Sequence, residues 1–189
     1  MPRISIMGCS GSGKSTLARA LQQELELPWL ELDSIHHQAD WKPLAADVFR
    51  RSVIDFMDRH PDWVIDGNYS KVADLVQARC TDIVWLDVPF PRVMWQLVSR
   101  SVRRVLFRTE LWNGNREGLG NLLSMDPEES VIRWAIKTHH QFPGRFDRLR
   151  ADPRMAGVRF HRLRGKATEH DLFEDLNGSA AASSSTRQH

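Results

Sequence analysis

Cysteine is scarce in this 189-residue chain, which has only Cys9 and Cys80. Two thiols give no disulfide framework, and Cys9 lies inside a glycine-rich turn where a structural bridge would be awkward. A reducing, cytoplasmic setting is the simple expectation. No apolar run approaches the roughly 20 residues that a membrane helix needs, so no membrane role is expected. The opening residues Met1–Met7 run directly into the glycine turn and leave no room for a signal peptide. Net charge is only +2, which by itself says little about a polyanionic partner. Tyrosine is rarer still, with Tyr69 alone.

What is present argues for one folded domain. Hydrophobic residues make up 41%, and seven tryptophans and eight phenylalanines supply large apolar surfaces, which excludes a disordered chain. The end differs: 177–189 is rich in Ser and Ala with no periodic apolar face, and reads as a flexible tail behind a domain spanning 1–176.

Short apolar runs alternate with helical periodicity. Strands are expected at Arg3–Met7, Pro28–Leu32, Trp63–Ile65, Asp82–Leu86 and Gly157–His161. Helices are expected at Lys14–Leu25, Pro43–Arg59, Ser70–Arg79, Pro89–Arg108, Glu128–His140 and Glu169–Leu176. Val48, Phe49, Val53, Phe56 and Met57 form the expected inner face of the second helix. This alternation is that of an α/β protein, a parallel sheet covered by helices on both faces. Ligands of such sheets gather at the carboxyl ends of the strands. Asp33, Asp66, Asp87 and the glycine turn all fall at expected carboxyl ends.

Gly8-Cys9-Ser10-Gly11-Ser12-Gly13-Lys14-Ser15-Thr16 satisfies G-x-x-x-x-G-K-[ST] at every fixed position, between an expected strand and an expected helix. Backbone N–H groups of such a loop, with the helix start behind them, cradle phosphates. Lys14 is expected to reach the β- and γ-phosphates and Ser15 to hold Mg²⁺. Thr16 is placed near the α-phosphate or the helix start. A dinucleotide fingerprint is excluded, because Thr16 stands where it needs glycine or alanine.

Two acids are candidates for the remaining chemistry. Asp33 either takes a proton from an acceptor hydroxyl and orients it, or caps a turn. Asp66 either holds a water of the Mg²⁺ shell or forms an Asx turn before Gly67. Asn68 and Tyr69 are candidate acceptor-pocket residues, and His36 and His37 weaker ones.

Between Arg92 and Arg116 six arginines face the single acid Glu110. Arg100, Arg104 and Arg108 are spaced i, i+4, i+8 and form a stripe, with Leu97, Val98, Val102, Val105 and Leu106 expected to cover the other side. The segment around 109–127 is rich in Gly and Asn, as suits a lid that brings guanidinium groups to phosphoryl oxygens. A solvated face and a nucleic-acid patch are the competing readings. Arg145, Arg148 and Arg150 form a second basic group.

These stretches together resemble the adenylate-kinase-like group of small P-loop kinases. The closer resemblance is to a bacterial branch labelled adenylate kinase or DNA topology modulation protein. It is carried by Ile6–Thr16, Leu32–His36, Val64–Tyr69 and Arg100–Glu117. The resemblance implies a three-layer P-loop NTPase fold with a five-stranded parallel sheet of order 2-3-1-4-5 and a helical lid. It also implies ATP and Mg²⁺, an acceptor near Asp33 and Asp66, and phosphate clamping by Arg104, Arg108 and Arg116. True adenylate kinases follow their third strand with Asp-Gly-aromatic-Pro-Arg, whereas this chain has Asp66-Gly67-Asn68-Tyr69-Ser70. The expected activity is γ-phosphoryl transfer to a small-molecule acceptor: a nucleoside, nucleotide or other metabolite. The alternative is a nucleotide-dependent regulatory or nucleic-acid-associated module, although no recognition motif supports nucleic-acid binding. Oligomeric state is not readable from the sequence.

Overall fold

The computed structural model describes residues 2–107, 110–115, 131–165 and 168–176. Five strands, β1 (Arg3–Gly8), β2 (Trp29–Glu31), β3 (Trp63–Asp66), β4 (Asp82–Leu86) and β5 (Arg159–Leu163), pair in parallel in the order β2-β3-β1-β4-β5. The helices are α1 (Lys14–Leu25), α2 (Leu32–His36), α3 (Ala46–Arg59), α4 (Ser70–Gln77), α5 (Phe90–Leu106), α6 (Val131–His139), α7 (Gln141–Ala151) and α8 (168–176). No described helix is long and apolar enough to cross a membrane.

The period of two along each strand sorts its side chains into two cores. Ile4 and Ile6 of β1, with Val64 and Val84, pack against Leu17 and Leu21 of α1 and Leu172 and Leu176 of α8. Met7, Ile65, Ile83 and Trp85 face the other way, towards Phe49 and Val53 of α3, Val72 and Val76 of α4 and Phe146 of α7. Each fully buried large apolar side chain contributes about 1.5–3 kcal/mol, so both faces hold the sheet.

Register then aligns the site. Glu31 of β2 and Ile6 of β1 both pair with Asp66 of β3, and Gly8 pairs with Leu86 of β4. Residues far apart in sequence therefore meet along one edge, immediately before α1.

Several expectations need correction. β2 stops at Glu31, so Asp33 lies in the first turn of α2 instead of terminating a strand. Helix α3 begins at Ala46, because residues 37–44 double back: the His37–Pro43 bridge and the Leu44 N–H bond to His36 O close that loop. Val48 is 44% exposed; Phe49, Val53 and Met57 form the buried face of α3, and Phe56 packs against the core only partly covered. On α5 the buried face is Val93, Leu97 and Ser101 at i, i+4, i+8, while Val98, Val102 and Leu106 are exposed. Of the apolar side expected for α5, Leu97 is buried and meets the phosphate loop at Gly11, while Val98, Val102 and Leu106 are turned away from that contact.

Candidate active site

The loop Gly8–Thr16 joins β1 to α1, as the motif requires. Gly11, in the left-handed region at φ 83°, lies against α5: a Cβ there would stand 3.1 Å from both Leu97 Cβ and Val93 O. The loop is thereby fitted onto the helix that carries the arginines. A second tie comes from the turn after β3. Asn68 Nδ2 donates to Gly8 O at 2.6 Å, while the Gly8 N–H lies 3.4 Å from Asn68 Oδ1. Asn68, a candidate acceptor-pocket residue from the sequence, pins the loop.

The Lys14 ammonium donates to the carbonyls of Gly8 and Cys9 at 3.1 and 3.2 Å. Burial lowers its pKa and Arg100 lowers it further, whereas Asp33 and Asp66 raise it. Both candidate acids therefore lie in the field of the loop lysine, and so does the first arginine of the α5 stripe. Arg104 is half-buried one helical turn further along α5. Arg108 and Arg116 lie outside the described residues, as do most of the 109–127 segment and the 177–189 tail.

Ser15 Oγ donates to Glu31 Oε1 at 2.9 Å. Asp66 is buried, and among the described residues neither its Oδ2 nor Ser12 Oγ has a hydrogen-bond partner. Burial pushes the Asp66 carboxyl up to about 7, with Glu31 and Asp33 adding to the rise and Lys14 and Ser15 opposing it. Gly67 follows with φ 134°, and a Cβ on it would approach Leu32 Cβ to 2.8 Å, so only glycine lets α2 close over this strand end.

Asp33 accepts a 2.6 Å hydrogen bond from the Tyr69 hydroxyl, which is 3.2 Å from His37 Nε2. Burial and the Asp33 charge raise the phenol's pKa far above its ordinary value, so it remains a donor. His36 is buried against the rings of Phe49 and Tyr69, and burial, with His37 nearby, lowers its pKa. It is an apolar-facing core residue. His37 stacks on Trp112 at 6.2 Å and meets Trp41 edge-on at 5.4 Å.

Residues 110–115, the described start of the expected lid, dock on this side of the site. Trp112 Nε1 donates to Glu31 Oε2 at 2.7 Å. Asn113 Nδ2 donates to Ser34 O and His37 O, and Asn115 Nδ2 to Gln38 O. Asp87 is taken up by ion pairs to Arg162 and Arg164 at 2.7 and 3.1 Å, a structural role at the sheet end.

Sequence reasoning passed over Glu31, Trp112 and Asn115. Glu31 is the last residue of β2, so its signal was a strand boundary placed one residue too late. Among the described residues no group of three His, Cys, Asp or Glu side chains is arranged to hold a metal.

The sheet order, loop and flanking helices define a P-loop kinase type of fold. The chain is similar to a shikimate kinase from Acinetobacter baumannii solved with shikimate, at 14% identity and TM-score 0.52, over 97% of this chain and 94% of that one. It is also similar to a sugar kinase from Janibacter sp., at 18% identity and TM-score 0.51, over 93% and 92%. A shikimate kinase from Bacteroides thetaiotaomicron gives 13% and 0.50, over 95% and 98%. No family model and no curated protein sequence matches the chain. At such identities the likeness is one of fold.

Proposed function

We propose that this chain is an ATP-dependent small-molecule kinase. One observation carries the reading: Asp33, oriented by Tyr69 at 2.6 Å, lies in the electrostatic field of Lys14, so a candidate acceptor acid and the phosphate loop share one site. A hydroxyl held by Asp33 is thereby presented to the side of the loop where a γ-phosphate is expected. That the proteins of like fold include a sugar kinase and a shikimate kinase supports the reading. The finer resemblance, to the branch labelled adenylate kinase or DNA topology modulation protein, rests on the sequence stretches.

The residues fit ATP and Mg²⁺. Among the described residues Lys14 donates to loop carbonyls alone, and Ser12 Oγ and Asp66 Oδ2 are buried polar atoms without partners, the kind of groups that a phosphate and a hydrated ion satisfy. Ser15 would ligate the ion, and Asp66 and Glu31 would hold its waters. When bound, the ion neutralises charge on the transferring phosphoryl group. Lys14 contributes a fixed positive charge, and Arg100 adds a second from α5. Arg104, Arg108 and Arg116 are assigned to clamp phosphate oxygens on the strength of the sequence.

The test is a panel of nucleosides, nucleotides, polyols and sugar acids assayed for acceptor-dependent ADP release. An active acceptor is expected, with turnover reduced at least about 100-fold in Lys14→Ala. ADP release that no acceptor raises, and that Lys14→Ala leaves unchanged, would end the kinase reading.

A further inference from the structure

A crevice runs from the α2 and β3–α4 turns down between the sheet and helices α4 and α7. Leu32, Gly67, Tyr69, Gln77 and Arg145 are among its walls, and Arg145 is the one charged residue lining it. Arg145 is partly buried and makes no hydrogen bond or ion pair among the described residues. The charge that acts on it is another cation, Arg148, and burial together with that repulsion lowers its pKa.

Several other arginines of this fold hold carboxylates. Arg162 pairs with Asp87, Arg50 with Asp74 and Arg79 with Asp58. A guanidinium drawn out of water without a carboxylate is unfavourable unless something else satisfies it. Its planar fork suits bidentate recognition of a carboxylate or a phosphate monoester. Tyr69 connects this cation to the proposed site, since it walls the crevice while its hydroxyl holds Asp33. Leu32, another wall, directly precedes Asp33.

We infer that Arg145 binds an anionic group, a carboxylate or a phosphate monoester, carried by the acceptor. This rests on the kinase reading for the identity of the site. The ligand's hydroxyl end is received at Asp33 and its charged end in the crevice. Selectivity for anionic over neutral acceptors thus comes from α7, behind the sheet edge that binds ATP.

The experiment uses the full chain with Mg²⁺ and a non-hydrolysable ATP analogue saturating the loop, so that added anions do not report on the loop. Matched ligands are titrated by calorimetry: gluconate against glucose, glycerol 3-phosphate against glycerol, and nucleoside 5′-monophosphates against nucleosides. At least one anionic member is expected to bind about 10- to 100-fold more tightly than its neutral counterpart. Which pair shows the gap separates carboxylate from phosphate. Arg145→Gln should erase the gap and Arg145→Lys retain part of it, with affinity for the ATP analogue and the unliganded thermal midpoint unchanged. A merely structural arginine would instead lower the midpoint and leave the preference intact. The inference is overturned if no anionic member binds, if neutral partners bind equally, or if Arg145→Gln keeps the preference. Turnover with a neutral acceptor that is indifferent to Arg145→Gln would sink it and leave the kinase standing. Arg145-dependent anion binding without any phosphoryl transfer would do the reverse.

Discussion

The Ser15 hydroxyl donates a 2.9 Å hydrogen bond to Glu31 Oε1, so the helix that follows the phosphate loop is tied to the end of β2. The other oxygen of the same carboxylate accepts from Trp112 Nε1 at 2.7 Å. One side chain therefore links the candidate Mg²⁺ ligand to the docked 110–115 segment. Glu31→Ala leaves a hydroxyl and an indole N–H without partners, which costs about 1–3 kcal/mol. On the proposed reading it also removes an acceptor for metal-bound water. The Mg²⁺ concentration that half-activates ATP turnover should rise about 10-fold or more. An unchanged Mg²⁺ titration would assign Glu31 to structure alone.

Asp66 makes the apo protein sensitive to pH. Its folded-state carboxyl is pushed up to about 7, chiefly by burial, from an ordinary value of 3.8. Between those values the unfolded chain holds the carboxylate ionised while the fold keeps it protonated. This group's contribution to stability is therefore fully present below about pH 4 and is lost as pH rises through about 7. Asp66→Asn should abolish that decline, seen in urea midpoints measured from pH 4 to 8. On the proposed kinase reading, loading the site with Mg²⁺ and nucleotide requires the ionised form. Near pH 6 the wild type should thus release a proton on binding, and Asp66→Asn should not, as read by calorimetry in buffers of different ionisation enthalpy.

On the acceptor side, Tyr69→Phe deletes the 2.6 Å bond to Asp33 but keeps the ring that packs on His36 and Phe49. Asp33 stays in place yet loses its orientation. We expect kcat/KM for the acceptor to fall about 10- to 100-fold with KM for ATP little changed. Asp33→Asn, which keeps the shape but removes the proton acceptor, should cost about 10²- to 10⁴-fold. Equal losses in both ATP and acceptor parameters would contradict this division of the site.

The parts of this fold legible in the sequence are those fixed by local chemistry. The glycine loop could be read whole, since its spacing is dictated by a phosphate, and β1, α1 and β4 followed from apolar runs bounded by that loop and by Asp87. Asp66 was placed correctly at a strand end because Gly67 marks the turn. Asp33 was not, because the three-residue β2 passes into α2 without a breaker, and this boundary also concealed Glu31. On α5 the exposed Val98, Val102 and Leu106 mimic a core stripe, while the face that is buried includes Ser101. Only the approach of Gly11 to Leu97, a contact across 86 residues, decides between them. The bond made by Asn68 was hidden for the same reason: its partner, Gly8 at the end of β1, is 60 residues away.

The docking of residues 110–115 turns on Asn115, which is 4% exposed. Its Oδ1 accepts from the Trp41 N–H at 3.0 Å, and its Nδ2 donates to Gln38 O and Trp112 O, both at 2.9 Å. Asn113 also bonds the 34–37 backbone, but from an exposed position where water can replace it. The two residues should therefore differ sharply despite similar bond counts. Asn115→Ala strands the part-buried Trp41 N–H and the Gln38 carbonyl, while Trp112 O keeps the backbone N–H of residue 115. It should destabilise the docked segment by about 2–4 kcal/mol, whereas Asn113→Ala should cost under about 1 kcal/mol. The loss should be local, appearing as faster hydrogen exchange at the Trp41 and Leu111 amides with little change in β1 or β4. Because His37 lies between Trp41 and Trp112, loosening this segment should also raise KM for the acceptor more than KM for ATP. Exchange that accelerates across the whole sheet in Asn115→Ala would instead make the segment part of the global core.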